Sequence, residues 1–286
     1  MKQFYFTVAL ITCIVFIGNS QSEKSLNIVS WNVFLRPGIL NDNQMGRVDN
    51  ISTYLISTDA DVLVLQEVFH KKARKSLLKK LTPAYKFRSR IGKRSFWGVS
   101  SGVVILSKHQ ITQEEQVSFK KATGSDKMAK KGAVSAVIQF YNSKIQVIGT
   151  HLQAGGGKKR RNIRKSQIKQ LQSLEDSTAV TSLYVGDFNI ENASDSYIAM
   201  MVTLDCVNDE IKGENKTTSN FSDQELFPTS GKSKWIDFIL LKKWHAKSKE
   251  KVRYKKSKIE SPKFLKKGRI SRLSDHNPIH SSLIIE

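Results

Sequence analysis

Short runs of β-branched and aliphatic residues recur along most of the chain, and several of them end directly in a polar cluster. Runs of this length and composition are typical of buried or half-buried strands. We expect strands at 26–31, 62–65, 102–106, 132–140, 145–150, 183–185, 235–241 and 279–285. No internal repeat is evident, so the pattern does not predict a repeat array.

Three segments between these runs space their apolar residues for one face of a helix. They span 46–56, 73–81 and 163–174. In the first, Val48, Ile51 and Leu55 are the apolar positions, and in the other two lysines fill the remaining faces. Strands mixed with helices predict a layered α/β or α+β domain.

The beginning of the chain has the features of a secretory signal peptide. Lys2 precedes a mostly apolar run over residues 4–17, and small residues follow at Gly18 and Ser20. This run is shorter than the roughly 20 residues that a membrane-spanning helix needs. We therefore expect residues 1–22 to be a signal peptide and residues 23–286 to be a single secreted, soluble domain.

Charge and cysteine content narrow the possible partners. The formal net charge of +22 predicts attraction to polyanions such as nucleic acid, an anionic membrane surface or acidic glycans. A lysine-rich surface that serves solubility alone is the alternative. Removal of the signal peptide would remove Cys13 and leave Cys206 alone, which excludes a disulfide framework.

Polar residues suited to phosphate-ester hydrolysis accompany six of the predicted strands. That reaction needs positive charge at the phosphoryl oxygens, a base for the attacking water and an acid for the leaving group. Mg²⁺ prefers a few hard oxygen ligands. The fragments are SWN (30–32), LQE (65–67), THLQA (150–154), GDFN (186–189), WIDFIL (235–240) and SDHNP (274–278). Each alone is explained by a turn or a cap, but the complete ordered series indicates one oxygen-rich site.

This series resembles the endonuclease/exonuclease/phosphatase superfamily over about residues 27–284. The resemblance implies a four-layered α/β/β/α sandwich with two mixed β-sheets packed face to face. Within the superfamily, the segment IGTHLQAG (148–155) and the strand entry Lys131-Gly132 are similar to bacterial-type neutral sphingomyelinases, the sphingomyelinase C group.

The resemblance implies a role for each matching position. Glu67 would be the principal Mg²⁺ ligand with Asn32 beside it, and Asp275 would support the metal or a histidine. His276 would be the general base for the attacking water. Asp237 would bind the other ring nitrogen of His276 and fix its tautomer.

The remaining matched positions surround the phosphate. Asp187 and Asn189 would orient the water and hold a phosphoryl oxygen, and His151 would bind phosphate or donate a proton on the leaving-group side. The implied mechanism is one-step, in-line attack by water. Mn²⁺ or Co²⁺ could replace Mg²⁺ at such ligands. Trp31 and Phe188 are expected to pack in the core.

The sequence leaves two substrates possible. The first is sphingomyelin at the surface of a phospholipid membrane. The THLQA segment favours it, and so does a basic insertion, residues 242–272, that includes Trp244, Tyr254 and Phe264. Aromatic and basic residues together suit contact with a phospholipid interface. A disordered basic loop is the alternative, and the hairpin that sphingomyelinases have in this region is more apolar. Residues 208–233 are expected to form a long polar loop.

The second possible substrate is nucleic acid, cleaved by a deoxyribonuclease-like nuclease. Basic residues that could bind a phosphate backbone follow the His151 segment, namely Lys158, Lys159, Arg160, Arg161, Arg164 and Lys165. The cysteine pair of typical secreted deoxyribonucleases of this fold is missing. We favour the sphingomyelinase, acting as a monomer without an obligate protein partner. A binding protein that has lost its activity is disfavoured, because every expected catalytic position is filled.

Overall fold

The computed structural model describes residues 24–40, 42–92, 100–220, 232–243, 250–266 and 268–286. Strands and helices are numbered in chain order. The predicted signal peptide, residues 1–22, lies outside the described residues, as does Trp244. Within them, no helix is both long enough and apolar enough to cross a bilayer.

Two six-stranded mixed sheets form the centre of the fold. In spatial order, the first sheet contains β11 (Val252–Ile259), β14 (Ile279–Ile285), β1 (Ser25–Leu35), β2 (Val62–Val68), β4 (Val104–Ser107) and β3 (Phe87–Arg88). The second contains β5 (Ile111–Ser118), β6 (Gly132–Phe140), β7 (Ser143–His151), β8 (Thr181–Asp187), β10 (Asp237–Lys242) and β9 (Cys206–Val207). Each sheet has one parallel pair, β1 with β2 and β7 with β8, among antiparallel neighbours.

Four helices and a small hairpin complete the described structure. The helices are α1 (Gln44–Ser57), α2 (Lys71–Leu81), α3 (Lys158–Gln172) and α4 (Asp195–Leu204), and the hairpin joins β12 (Lys263–Lys266) to β13 (Arg269–Arg272). Short 3-10 turns occur at Gly38–Leu40 and Gly124–Lys127. Local capping supports two of the helices, since His70 Nδ1 accepts from Ala73 N and Ser194 Oγ accepts from Tyr197 N.

The side-chain alternation within single strands sets the order of the layers. In β2, Val62 and Val64 pack between the two sheets, whereas Leu63 and Leu65 face the other way, toward α1 and α2. The second sheet repeats this arrangement, with Val185 toward the first sheet and other residues packed under α3 and α4. Because both faces of each sheet are covered, the layers run helix, sheet, sheet, helix, and the predicted α/β/β/α sandwich is confirmed.

The predicted elements are present, with different ends. All eight predicted strands and all three predicted helices occur. Helix α3 begins earlier than predicted, at Lys158, because its first turn is made of charged residues that carry no apolar period. Trp31 and Phe188 are fully buried, as expected.

Three larger elements were not predicted. Strand β5 is a polar, partly exposed edge strand, and α4 is apolar on most faces, so neither has a clear hydrophobic period. Strand β11 lies inside the basic segment 242–272 and pairs with β14 along its whole length. The interpretation of that segment as a disordered loop is therefore wrong for its described residues. The described part of 208–233 contains isolated bridges but no longer element, in agreement with a loop.

Candidate active site

Strand register brings five predicted site residues to one edge of the sandwich. In the second sheet, His151 at the end of β7 and Asp237 at the start of β10 both lie opposite Asp187 on the strand between them. In the first sheet, Asn32 on β1 lies opposite Gln66, next to Glu67. Because both parallel pairs end at this edge, side chains distant in sequence meet there.

Asn32 links the two sheets through its side-chain amide. Its Nδ2 donates to Glu67 Oε1 at 3.1 Å and to Asp187 Oδ2 at 3.3 Å. Glu67 has a left-handed backbone with φ 57°, which costs about 1–3 kcal/mol in a residue other than glycine. Its Oε2 atom is buried, and no described residue donates a hydrogen bond to it. Glu67 therefore presents an unpaired carboxylate oxygen to the site.

His276 is held by Asp237 in a buried pair. His276 Nδ1 lies 2.8 Å from Asp237 Oδ2, and His276 Nε2 lies 3.8 Å from Asp187 Oδ2. Burial opposes charge on the imidazole, but the carboxylates, Asp237 foremost, raise the pKa of His276 well above its ordinary value. Trp31 Nε1 donates to the backbone carbonyl of His276 at 2.8 Å. The ring therefore has a fixed orientation with Nε2 toward the site.

Thr218 positions Asp237. Its buried hydroxyl oxygen accepts from the backbone N–H groups of Ile236 and Asp237 at 2.9 and 3.0 Å. The backbone carbonyl of Thr218 accepts from Asn277 N at 2.6 Å. One residue of the 208–220 segment thus connects Asp237 with the residue that follows His276. The sequence has no signal for this function, because threonine in a polar loop is common.

His151 lies on the other side of Asp187. Its Nε2 is 3.4 Å from Asp187 Oδ2 and 3.0 Å from Nζ of the buried Lys131. Lys131 Nζ also donates to Leu152 O at 2.8 Å and pairs with Asp126 Oδ2 at 3.0 Å. Burial, and then the Lys131 charge, lower the pKa of His151 well below its ordinary value. His151 is therefore a neutral imidazole in this structure.

The Lys131 contact also selects the tautomer of His151. An ammonium group only donates hydrogen bonds, so Nε2 must accept and the ring proton is on Nδ1. That Nδ1 atom is buried, and no described residue accepts from it. Lys131 and Asp126 are site residues that the motif series did not include, and the Lys-Gly strand entry was the only sequence signal for Lys131.

Asp187 is at the centre of the described network. Besides the contacts above, its Oδ1 accepts from Asn189 N at 2.9 Å. Burial, and then the neighbouring charge of Asp237, raise the pKa of Asp187 to about 7. Asn189 has a left-handed backbone with φ 51°, and its Nδ2 donates to Leu152 O at 3.3 Å.

Asp275 is half-buried near Glu67 and is supported by its surroundings. Burial, opposed by the charge of His276 and then reinforced by that of Glu67, raises the pKa of its carboxyl to about 6, with the Arg47 charge as a smaller opposing cause. Arg47 is fully buried and donates to the backbone carbonyls of Val33, Phe34 and Leu273. This arginine ties the end of β1 to the segment that carries Asp275, and the sequence analysis did not identify it.

The residues present suit a divalent cation with oxygen ligands. Burial is the first cause of the raised pKa values of Glu67, Asp187 and Asp275, and the nearby charges of His276, Lys131 and Arg47 offset it only in part, so a cation would stabilise these carboxylates further. Asp187, Asp237 and His276 offer ligand atoms within 4.8 Å of one another. Because Asp237 is already paired with His276, the unpaired Oε2 of Glu67 is the better candidate ligand.

Comparisons with known proteins agree with this geometry. Residues 29–276 match the model of the Endonuclease/Exonuclease/phosphatase family. The chain is 28% identical to a sphingomyelinase C of Bacillus cereus, covering 93% of this chain and 90% of that protein. It is 28% identical to a phospholipase C of Staphylococcus aureus, covering 82% and 78%.

A solved structure extends the likeness to three dimensions. A beta toxin double mutant from Staphylococcus aureus, crystallised with bound magnesium ions, superposes with a TM-score of 0.76 at 25% identity. The match covers 90% of this chain and 99% of that one. The similarity thus includes both sheets and the edge where the polar cluster lies.

Proposed function

The chain belongs to the endonuclease/exonuclease/phosphatase family, and we propose that it is a secreted, Mg²⁺-dependent sphingomyelinase that releases phosphocholine and ceramide. The protein is a sphingomyelinase-like phosphodiester hydrolase. The observation that carries the finer proposal is the placement of two imidazoles on one carboxylate. His151 and His276 lie 3.4 and 3.8 Å from Asp187 Oδ2, in a chain similar to sphingomyelinase C over most of its length.

Glu67 and Asn32, with Asp275 behind them, would hold the cation. Mg²⁺ bound there would neutralise negative charge on the phosphoryl oxygens. The oxygen ligands and the magnesium in the beta toxin structure support this choice of metal. Mn²⁺ and Co²⁺ are expected to substitute.

His276 would act as the general base through Nε2. Water attacks phosphorus in line and its proton passes to His276 Nε2, while the bond from phosphorus to the ceramide oxygen breaks and that oxygen takes up a proton from solvent. Asp237 keeps the other ring proton on Nδ1 and stabilises the imidazolium that forms. Asp187 and Asn189 would orient the water and the phosphoryl group.

His151 would assist departure of the ceramide oxygen. With Nε2 occupied by Lys131, the free donor of its ring is Nδ1–H. This group is buried, so substrate binding would have to bring a phosphoryl or leaving oxygen within hydrogen-bond distance of it. This neutral donor is the form that the pKa of His151 supports, because burial and Lys131 disfavour the imidazolium.

The β12–β13 hairpin supports a membrane substrate. Leu265 and Ile270 lie opposite each other in the hairpin and are 72% and 70% exposed. Leu273 and Ser274 alone separate the hairpin from Asp275. An apolar pair next to the site, flanked by basic residues, suits the interface of a phospholipid bilayer.

Substrate choice is tested with purified protein in Mg²⁺. Sphingomyelin vesicles are assayed for phosphocholine and, in parallel, plasmid DNA is assayed for nicking, with His276→Ala as the inactive control. If the protein is a sphingomyelinase, we expect phosphocholine release, and we expect His276→Ala to abolish it. Nicking without phosphocholine release would instead support the nuclease, for which the basic helix α3 beside the His151 segment is the structural argument.

Secretion and domain organisation are tested separately. We propose that residues 1–22 are removed and that residues 23–286 form one monomeric domain. Intact mass and N-terminal sequencing of protein from the culture medium should give a chain that begins near residue 23, and sedimentation should give the mass of one chain. Retention of residues 1–22 or a stable dimer would contradict this part of the proposal.

A further inference from the structure

A groove of about 220 Å³ lies between α3 and α4, on the helical layer that covers the second sheet. The described residues that line it are Arg161, Arg164, Lys165, Ile168, Lys169, Ile190, Ser196, Ala199, Met200 and Thr203. None of these is a residue that we place in the catalytic cluster. The groove is therefore a second concave surface with its own chemistry.

The α3 wall of the groove is positively charged. Arg161, Lys165 and Lys169 are exposed and follow one another at four-residue spacing, so they line one face of the helix. Among the residues that the structure describes, none of these three makes an ion pair, and no acidic side chain lines the groove. The wall therefore has positive charges without internal counter-ions.

Arg164 extends this charge into the protein. It is only 6% exposed, and its Nη1 donates to the backbone carbonyls of Gln153 and Gly155 at 2.8 and 2.7 Å. Its Nε has no hydrogen-bond partner in the described part of the chain. Burial, and then the nearby charge of Arg161, lower the pKa of the Arg164 guanidinium. A negative group in the groove would stabilise this charge.

The opposite wall and the floor of the groove are mainly apolar. Ile168 and Met200 are buried, while Ala199 is exposed at the rim. Next to Ala199 on α4, Ile198 and Val202 are 56% and 75% exposed. An apolar strip thus continues from the groove onto the solvent face of α4, beside the basic face of α3.

We propose that this groove binds a single anionic amphiphile, with a phosphate head between Arg161, Arg164 and Lys165 and an alkyl chain along Ile168, Ala199 and Met200. Clustered cations that include arginine favour phosphate, because a guanidinium can donate two parallel hydrogen bonds to its oxygens. The alkyl chain would lie on the apolar floor and cover the exposed Ala199 at the rim, a contact that a free phosphate ion cannot make. A nucleic-acid strand fits less well, since the lining has no aromatic side chain for base stacking.

A ligand in the groove would also bind next to the segment that carries His151. The Arg164 guanidinium holds the carbonyls of Gln153 and Gly155, which follow His151 in the chain. Gln167, one turn further along α3, accepts from Gln153 N at 2.9 Å. The head group therefore binds at the point where α3 supports the catalytic segment.

Titration calorimetry with decyl phosphate below its critical micelle concentration tests the proposal. Inorganic phosphate and decyl maltoside serve as head-only and tail-only ligands. We expect decyl phosphate to bind at least about tenfold more tightly than either, because both halves of the groove contribute. Equal affinity for inorganic phosphate would overturn the alkyl-chain part and with it the proposal.

Variants locate the binding site. The double variant Lys165→Gln/Lys169→Gln should weaken decyl phosphate binding by about tenfold. A loss of this size corresponds to the removal of one or two exposed charge-assisted contacts. The matched control, Lys75→Gln/Lys79→Gln, removes two exposed lysines of the same spacing from α2 and should leave binding unchanged. If both double variants weakened decyl phosphate binding equally, the effect would come from net charge, and the proposed binding site in the groove would be wrong.

A second pair separates charge from size at the apolar rim. Ala199→Glu should abolish binding, whereas the isosteric Ala199→Gln should weaken it less, and melting curves verify that both fold. Unchanged decyl phosphate binding in Ala199→Glu would overturn the proposal. A larger loss of single-stranded oligonucleotide binding than of decyl phosphate binding in these variants would also overturn it. All titrations are made without sphingomyelin and compared between variants, so their outcome is independent of the proposed sphingomyelinase activity.

Discussion

The Nζ atom of Lys131 lies 3.0 Å from Nε2 of His151, and both side chains are buried. Burial, and then the charge of this ammonium, lower the pKa of His151 well below its ordinary value. His151 and His276 therefore have opposite electrostatic environments, since carboxylates raise the pKa of His276. These neighbours therefore favour different protonation states in the two histidines that flank Asp187.

Replacing Lys131 with Gln should impair catalysis through His151. Without the ammonium charge the pKa of His151 rises, and the Nε2 hydrogen bond that selects its tautomer is lost. We expect a fall in kcat of about 10²-fold and a changed pH profile. Lys130→Gln, an exposed neighbour, is the matched control. A normal pH profile in Lys131→Gln would contradict this role.

Replacing Asp237 with Asn should reduce activity and shift its pH dependence. The carboxylate raises the pKa of His276, so its removal lowers that pKa. A base must be deprotonated to act, and the acidic limb of the kcat/KM profile should therefore move to lower pH. The expected loss in kcat is about 10³- to 10⁴-fold, as for comparable carboxylate–histidine pairs. His109→Ala, outside the site, should leave the profile as it is; an unmoved limb in Asp237→Asn would count against the pairing.

Mg²⁺ should stabilise the protein more at high pH than at low pH. The folded-state pKa values of Asp187 and Asp275 are raised to about 7 and about 6, and that of Glu67 is also raised. Carboxyls with raised pKa values contribute stability that is present below their unfolded pKa near 4 and is lost as pH rises through the folded values. A cation compensates for that loss.

Thermal melting with and without Mg²⁺ at pH 5 and pH 8 measures this effect. At 100 times its dissociation constant a ligand contributes about 2.7 kcal/mol, and the full increment is expected only at pH 8. The Glu67→Gln substitution should reduce the stabilisation by Mg²⁺ at pH 8. An equal increment at both pH values, or an unchanged one in Glu67→Gln, would contradict cation binding by these carboxyls.

Polar replacement of the exposed hairpin pair should affect membrane substrates alone. Leu265→Ser/Ile270→Ser removes two side chains whose burial in an interface contributes up to about 1.5–3 kcal/mol each. We expect at least about tenfold less vesicle binding and hydrolysis, with an unchanged rate on a water-soluble phosphocholine ester. Ile56→Ser, an exposed apolar residue on α1, is the control. Equal losses on both substrates would place the hairpin in the catalytic site rather than at the membrane.

Local patterns in the chain predicted a layered α/β or α+β domain and most of its strands, whereas the four-layered sandwich followed from the family resemblance of the motif series. Apolar runs such as 132–140 form central strands whose two faces are buried, so hydrophobicity identifies them directly. Strands β5 and β11 lie at sheet edges and consist largely of polar residues. Their strand conformation comes from pairing with β6 and β14, which no local pattern encodes.

The sequence by itself determined the fold class and the identities of most candidate site residues, because strand ends carry polar motifs whose order is written in the chain. The tertiary structure alone decided which of them touch and which neighbours tune them. Arg47 and Thr218 became visible only in three dimensions, and so did the contact of Lys131 with His151, since each acts across distances of many residues through burial, charge and backbone hydrogen bonds. Electrostatic environment depends on spatial neighbours and on exclusion of water, and neither is a property of a local sequence pattern.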